Sequence, residues 1–191
     1  MSTTIAAIGT ALSNSGISII RISGKDSLNI VNKIFSSSSK LEPNHIIYGK
    51  LHNNGVFMDN VLVSYFKAPH SYTGEDSAEI SCHASQYILN NVLELLISNG
   101  ATLASPGEFT QRAYLNGKID LSQAEAVADL ISSTTKATHD IAISQLKGHF
   151  STELHTLRDQ LLHLTTLLEL ELDFSDHEEL EFVDRNELLE L

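Results

Sequence analysis

The hydrophobic residues of this chain change their spacing partway along it, and that change limits the folds open to it. In the first half apolar positions recur at every second residue, as in a strand with one buried face; in the second they recur every three or four, as in a helix. In ISIIRIS, alternation puts Ile17, Ile19 and Arg21 on one face and Ser18, Ile20 and Ile22 on the other, with Arg21 ending a strand just before Gly24. DSLNIVNKIF follows, with Leu28, Val31 and Phe35 at helical spacing. After a polar SSSS link, HIIYGKL and VFMDNVLVSYF flank Asn53, Asn54 and Gly55, and Asn-Gly between strand-like runs predicts a hairpin. PHSYTGED is a loop rich in turn formers, SAEISCH another alternating strand, and QYILNNVLELLISNG a helix with Ile88, Val92 and Leu95 inward, stopped by Gly100. Strand, helix, hairpin, strand, helix predicts an α+β sandwich with helices on one sheet face.

The second half reads as helical throughout. Ser105 and Glu108 fit a capping box with Pro106 at the first helical position, and Gly117 ends that helix. Asp120 with Gln123 offers a second capping-box start, after which Leu121, Ala124, Val127 or Ala128, and Ile131 form an apolar stripe. Phe150, Leu154, Leu157, Leu161, Leu164 and Leu168 then recur at fours and threes, a pattern that needs a partner helix. From Glu171 to Leu191 nine acidic residues stand against one basic, Arg185, which makes −8 of the formal −12. That run reads as a solvated acidic face or a linker.

Charge and composition remove several function classes. With 24 acidic and 12 basic residues, the chain lacks the clustered cations of a broad phosphate-binding surface, so any RNA contact is local or made by other parts. Cys82 is the only cysteine, which excludes an intrachain disulfide and a cysteine-rich zinc site. It shares its strand face with Ala78 and Ile80 while Glu79, Ser81 and His83 point the other way, so it reads as a buried, inert thiol rather than a nucleophile with His83 as base. No two of the nine histidines stand at i, i+4, and no metal is assigned. The Gly-Lys pairs at Gly24, Gly49 and Gly117 lack the rest of a phosphate loop, so this segment is expected not to bind GTP in that way. MSTTIAAIGT is not a secretory leader and no apolar run would span a bilayer; a soluble, cytoplasmic chain without a membrane is the expectation.

Three charges remain as candidates for a site: Arg21 at a strand end, Glu79 on a polar strand face, and Lys118 between two helix caps. Pattern alone leaves them as solvated side chains or as the anchors of a small anionic heterocycle. A carboxylate accepts paired hydrogen bonds from an amidine-like edge, and Arg or Lys holds carboxylates.

TIAAIGT, GISIIRISG, SYTGEDSAEISCH, GATLASPGEFTQRAYLNGKIDLSQAEAVADLI and LELELDFSD occur in that order, and together the chain resembles the N-terminal part of the tRNA-modification GTPase family MnmE/TrmE. The resemblance implies an α+β folate-binding and dimerising domain, similar to aminomethyltransferase folds, over residues 1–118. The first helices of an all-α bundle domain follow over 119–191, where the family inserts its GTP-binding domain and adds C-terminal helices. It implies a homodimer that works with a flavin-dependent partner, MnmG or GidA, on C5 of the wobble uridine of certain tRNAs. The one-carbon unit would come from 5-formyltetrahydrofolate or a related tetrahydrofolate. GTP, magnesium and potassium belong to the inserted domain, and no catalytic residue is expected in this segment.

Carried over by motif, the family's folate contacts fall on Arg21 in IIRISG, Glu79 in SAEIS and Lys118 in NGKIDL. Glu79 would take the pterin's amino and ring N–H edge. Arg21 and Lys118 would share the ring oxygen, the carried formyl group and the glutamate tail, in either order. Arg112, in the same corner as Lys118, receives no family role and reads as a structural or interface residue. Where the family has a GRGG-type turn this chain has SNSG, keeping only Gly16, and where CHGG is usual it has CHAS, with Ala84 and Ser85. These departures support an alternative, a dimerisation scaffold that has lost ligand binding. A stand-alone aminomethyltransferase is the weaker third reading, since no second domain completes it.

Overall fold

The alternating first half forms one mixed sheet. A computed structural model describes residues 3–11 and 15–173, which divide into two compact units, Met1–Ile119 and Asp120–Leu191. In the first unit, β1 (Ile5–Ile8), β2 (Ser18–Ser23), β3 (Phe35–Ser36), β4 (Ile46–Asn53), β5 (Val56–Phe66), β6 (Ser77–Cys82) and β7 (Thr102–Leu103) lie in the order β3-β4-β5-β6-β2-β1-β7. All neighbours are antiparallel except β1 and β7. The hairpin between β4 and β5 turns where expected: Asn54 and Gly55 take φ of 48° and 85°, the left-handed pair that a two-residue turn matched to strand twist requires.

One face of this sheet is the core. Ile20, Ile22, Val61, Val63, Ala78, Ile80 and Cys82 pack against α1 (Ser27–Ile34) and α2 (Gln86–Ser98), and the alternation assigned to β2 and β6 is present side chain by side chain. The inward sets of the two helices differ from expectation. Helix α1 buries Ser27, Ile30, Val31 and Ile34 rather than Leu28, and Phe35 is buried from β3; α2 buries Leu89, Val92, Leu95 and Leu96, with Ile88 only partly covered. A spacing of three or four fixes a stripe only to within one residue, and contact with the sheet selects the neighbouring position.

Helix α3 (Glu108–Leu115) does not start from the expected capping box. Gly107 lies before it with φ 77° and ψ −1°, and the Glu108 N–H bonds to the Ser105 carbonyl at 3.0 Å. With Pro106 and Gly107 in the middle this is a type II turn, which only a residue tolerating positive φ permits at its third position. The Glu108 carboxylate still accepts from the Ser105 N–H at 2.8 Å, so half of the box survives as a brace on the turn. At the other end the Lys118 N–H reaches back to the Ala113 carbonyl and the Gly117 N–H to Tyr114, closing the helix as the glycine foretold.

The second unit contains α4 (Leu121–Ser132), α5 (Lys136–Leu146) and α6 (His149–Asp173). Asp120 and Gln123 form both halves of the predicted capping box. The stripe assigned to α4 is not a buried seam: Ala126 is its buried residue, while Leu121 and Ile131 are 57% and 81% exposed. Along α6 only Leu164 of the predicted stripe is buried; Phe150, Leu154, Leu157, Leu161 and Leu168 are exposed. The acidic run beyond Asp173, and Ser13 and Asn14 of SNSG, lie outside the described residues. No helix among the described residues is long and apolar enough to cross a membrane.

Candidate functional site

The sheet face away from α1 and α2 carries the candidate site. Registry of β2 against β6 sets Arg21 opposite Glu79, and both side chains project from the same open face. Arg21 Nε donates to Glu79 Oε1 at 2.9 Å, with the two side chains 36% and 29% exposed. The guanidinium carbon lies 5.4 Å from the centre of the Tyr72 ring and 5.7 Å from that of Phe109, within the range of cation–π attraction. These groups, with Phe66, Thr73 and Ser77, line a cavity of about 160 Å³. It has a charged pair on its floor and aromatic rings in its walls.

The wall is made by a loop held against α3. Tyr72 Oη shares a hydrogen bond with Thr110 Oγ1 at 2.9 Å, and Asn116 Nδ2 donates to the Thr73 carbonyl at 2.7 Å. Arg112 Nη1 donates to Glu75 Oε2 at 3.0 Å and to the Thr3 carbonyl at 2.8 Å, while its Nη2 donates to Glu108 Oε1 at 2.8 Å. Burial alone would lower the Arg112 pKa, but the hydrogen bonds and charges of Glu108 and Glu75 outweigh it and raise it. The Ser105 N–H, and then Arg112, hold the Glu108 carboxyl below its ordinary range.

Of the three residues nominated from sequence, the structure brings Arg21 and Glu79 together and leaves Lys118 outside the cavity lining. Lys118 Nζ donates instead to the Pro69 carbonyl at 3.1 Å, and its stem runs beside Gly74. The residues missed by pattern reasoning are Phe66, Tyr72, Thr73 and Phe109. Tyr72 and Phe109 fall inside the SYTGED and PGEFT motifs, but no periodicity marks a loop aromatic as a wall of a site.

The CHAS departure is not in the cavity wall. Asp59 Oδ2 accepts the His83 N–H at 2.9 Å and its Oδ1 the His83 ring nitrogen at 2.7 Å, while Ala84 and Ser85 lead into α2. Cys82 is buried, as its strand position predicts.

Residues 4–118 match the model of the GTP-binding protein TrmE N-terminus, and residues 121–191 that of the MnmE helical domain. Similar curated proteins carry the name tRNA modification GTPase MnmE. One from Parabacteroides distasonis is 55% identical over 97% of this chain and 42% of its own length. Others from Bacteroides fragilis and Flavobacterium johnsoniae are 54% and 49% identical over 98% of this chain and 41% of theirs. The chain thus spans about two fifths of the length of these relatives. With one match covering the sheet unit and the other the helical unit, the chain belongs to the TrmE/MnmE family and carries its N-terminal and helical domains.

Proposed function

We propose that this chain is the tetrahydrofolate-binding, self-associating segment of a tRNA-modification GTPase that, with a flavin-dependent MnmG/GidA partner, alters C5 of the wobble uridine in the cytoplasm. The observation that carries the reading is the Arg21–Glu79 pair on the floor of an aromatic-walled cavity. The cavity is smaller than the roughly 300–1,000 Å³ that encloses a whole drug-sized ligand, so it fits a ring system with its tail outside. Glu79 would accept the pterin's amino and ring N–H edge, and Tyr72 and Phe109 would contact its flat faces. Arg21, released from Glu79, would serve the ring oxygen or carried formyl group, and Lys118, outside the wall, the tail carboxylates. Bound there, 5-formyltetrahydrofolate or a related tetrahydrofolate would supply the one-carbon unit. GTP, magnesium and potassium are assigned to the family's inserted domain, and residues 1–191 are given no part in GTP hydrolysis.

Calorimetric titration of 5-formyltetrahydrofolate into the chain tests the site. Saturable heat is expected from the wild type, with at least tenfold weaker binding in Glu79→Ala and in Arg21→Ala, as loss of a charged hydrogen-bond partner predicts about 1.5–3 kcal/mol. Unchanged binding in both folded variants would remove the assignment.

The scaffold alternative keeps the self-association and drops the ligand. Ile46, Tyr48 and Leu62 form a neighbouring apolar patch on the open sheet face and are 67%, 63% and 43% exposed. A dimer in light scattering that gives no heat with folates would select that reading.

A further inference from the structure

Arg112 was the cation in the corner around Gly117 without a role, and the structure gives it one. It is 11% exposed, against 36% for Arg21, and its donors are already taken by Glu75, Glu108 and the Thr3 carbonyl. A guanidinium so enclosed is not available to a ligand.

Its partners lead to the cavity wall. Glu75 Oε2 also accepts from Ser23 Oγ at 3.0 Å, and that hydroxyl shares a hydrogen bond of 2.7 Å with Thr73 Oγ1. Ser23 is buried at the end of β2, two residues from Arg21, and Thr73 lines the cavity. One connected set of hydrogen bonds therefore runs from α3 through Arg112, Glu75 and Ser23 to Thr73. Thr110 in that helix and Asn116 at its C-terminal cap, one on each side of Arg112, hold Tyr72 and Thr73 in place. Phe109, the other aromatic ring beside Arg21, is carried by that helix.

We propose that Arg112, through Glu75, is the positioning residue of this site: it fixes residues 71–76 against α3 so that Tyr72 and Phe109 stand at the right separation around Arg21. The proposal rests on the ligand reading given above. Its physical basis is the guanidinium fork, which satisfies two carboxylates and a carbonyl in one fixed geometry. A lysine at the same position offers one point charge and cannot hold all three. Removing the fork leaves the floor of the cavity intact and lets the wall move, and a site loosened in this way loses affinity without losing a contact residue.

Arg112→Lys and Glu75→Gln are the variants, compared with wild type by titration of 5-formyltetrahydrofolate and by amide hydrogen exchange. Affinity is expected to fall about tenfold in each, the cost of re-ordering roughly one loosened side chain and its loop on binding. Exchange should accelerate in residues 71–76 while β2 and β6 keep their protection. Global destabilisation would raise exchange in the strands as well, so it is told apart. Wild-type affinity, or wild-type loop protection, in the folded variants overturns the proposal. If wild type binds no folate, the ligand reading fails and the exchange data alone decide whether Arg112 fixes the loop. Should Arg112→Lys not fold, Glu75→Gln carries both measurements.

Discussion

Cys82 shows how much a single position owes to its strand. Its thiol stands between Ala78 and Ile80 on the core side of β6 and Asp59 on β5, and burial, then the Asp59 charge, raise its pKa from 9.0 to about 11. The proton is therefore held more tightly in the folded chain than in the unfolded one. The stability this contributes is complete below pH 9.0 and declines as pH rises toward about 11. Thiolate is the reactive form. At pH 8 the folded chain is expected to react with a thiol reagent far more slowly than the urea-unfolded chain, a comparison read by absorbance; equal rates would show the thiol is not sequestered. Alternation alone was enough to reach this conclusion, because a period of two assigns each side chain of a strand to one face. The same rule put Glu79 on a polar face and Arg21 on the face opposite Ile20 and Ile22. It could not make them neighbours, since pairing β2 with β6 depends on register between segments 58 residues apart.

Two helix starts, those of α3 and α4, separate local signals that survive folding from those that do not. Asp120 accepts the Gln123 N–H at 2.8 Å and also the Ser151 hydroxyl at 2.7 Å, so this cap ties α4 to the start of α6. Those bonds, the Gln123 N–H first, hold its carboxyl below the ordinary range. The cap's contribution is present above the ordinary aspartate value and fades as pH falls through the depressed one. Asp120→Ala is expected to cost about 1 kcal/mol, the usual loss at such a cap, and to flatten the fall of the melting temperature as pH drops below the ordinary aspartate value, followed by circular dichroism. An unaltered acid limb would mean the cap carries no linkage. At Ser105 the same residue pattern failed as a start, because Pro106-Gly107 has turn chemistry of its own and took the chain into a type II turn first. Capping residues are legible where nothing nearby competes for the backbone. The short strands β3 and β7, two residues each, had no periodicity to reveal them.

At the scale of the whole molecule, two apolar surfaces are candidates for the self-association proposed above. On the sheet unit, Ile46, Tyr48 and Leu62 lie together on the open face that holds the cavity; on the helical unit, Leu154, Leu157 and Leu161 are each about half exposed along α6. Both exceed what isolated surface hydrophobics need as explanation. A twofold dimer buries each substituted position twice. A carboxylate placed at the centre of such an interface costs about 2 kcal/mol per copy, so the dimer should weaken roughly a thousandfold. If the sheet face is the interface, Leu62→Asp gives a monomer in light scattering with its far-ultraviolet spectrum unchanged, and Leu157→Asp remains a dimer. The reverse pattern would assign association to α6, and two persistent dimers would exclude both surfaces. Because Leu62 and Glu79 occupy adjacent strands of one face, a monomer made at Leu62 also reports on the ligand. If Leu62→Asp still binds 5-formyltetrahydrofolate, the cavity is complete within one copy; if it does not, the second copy supplies part of the wall.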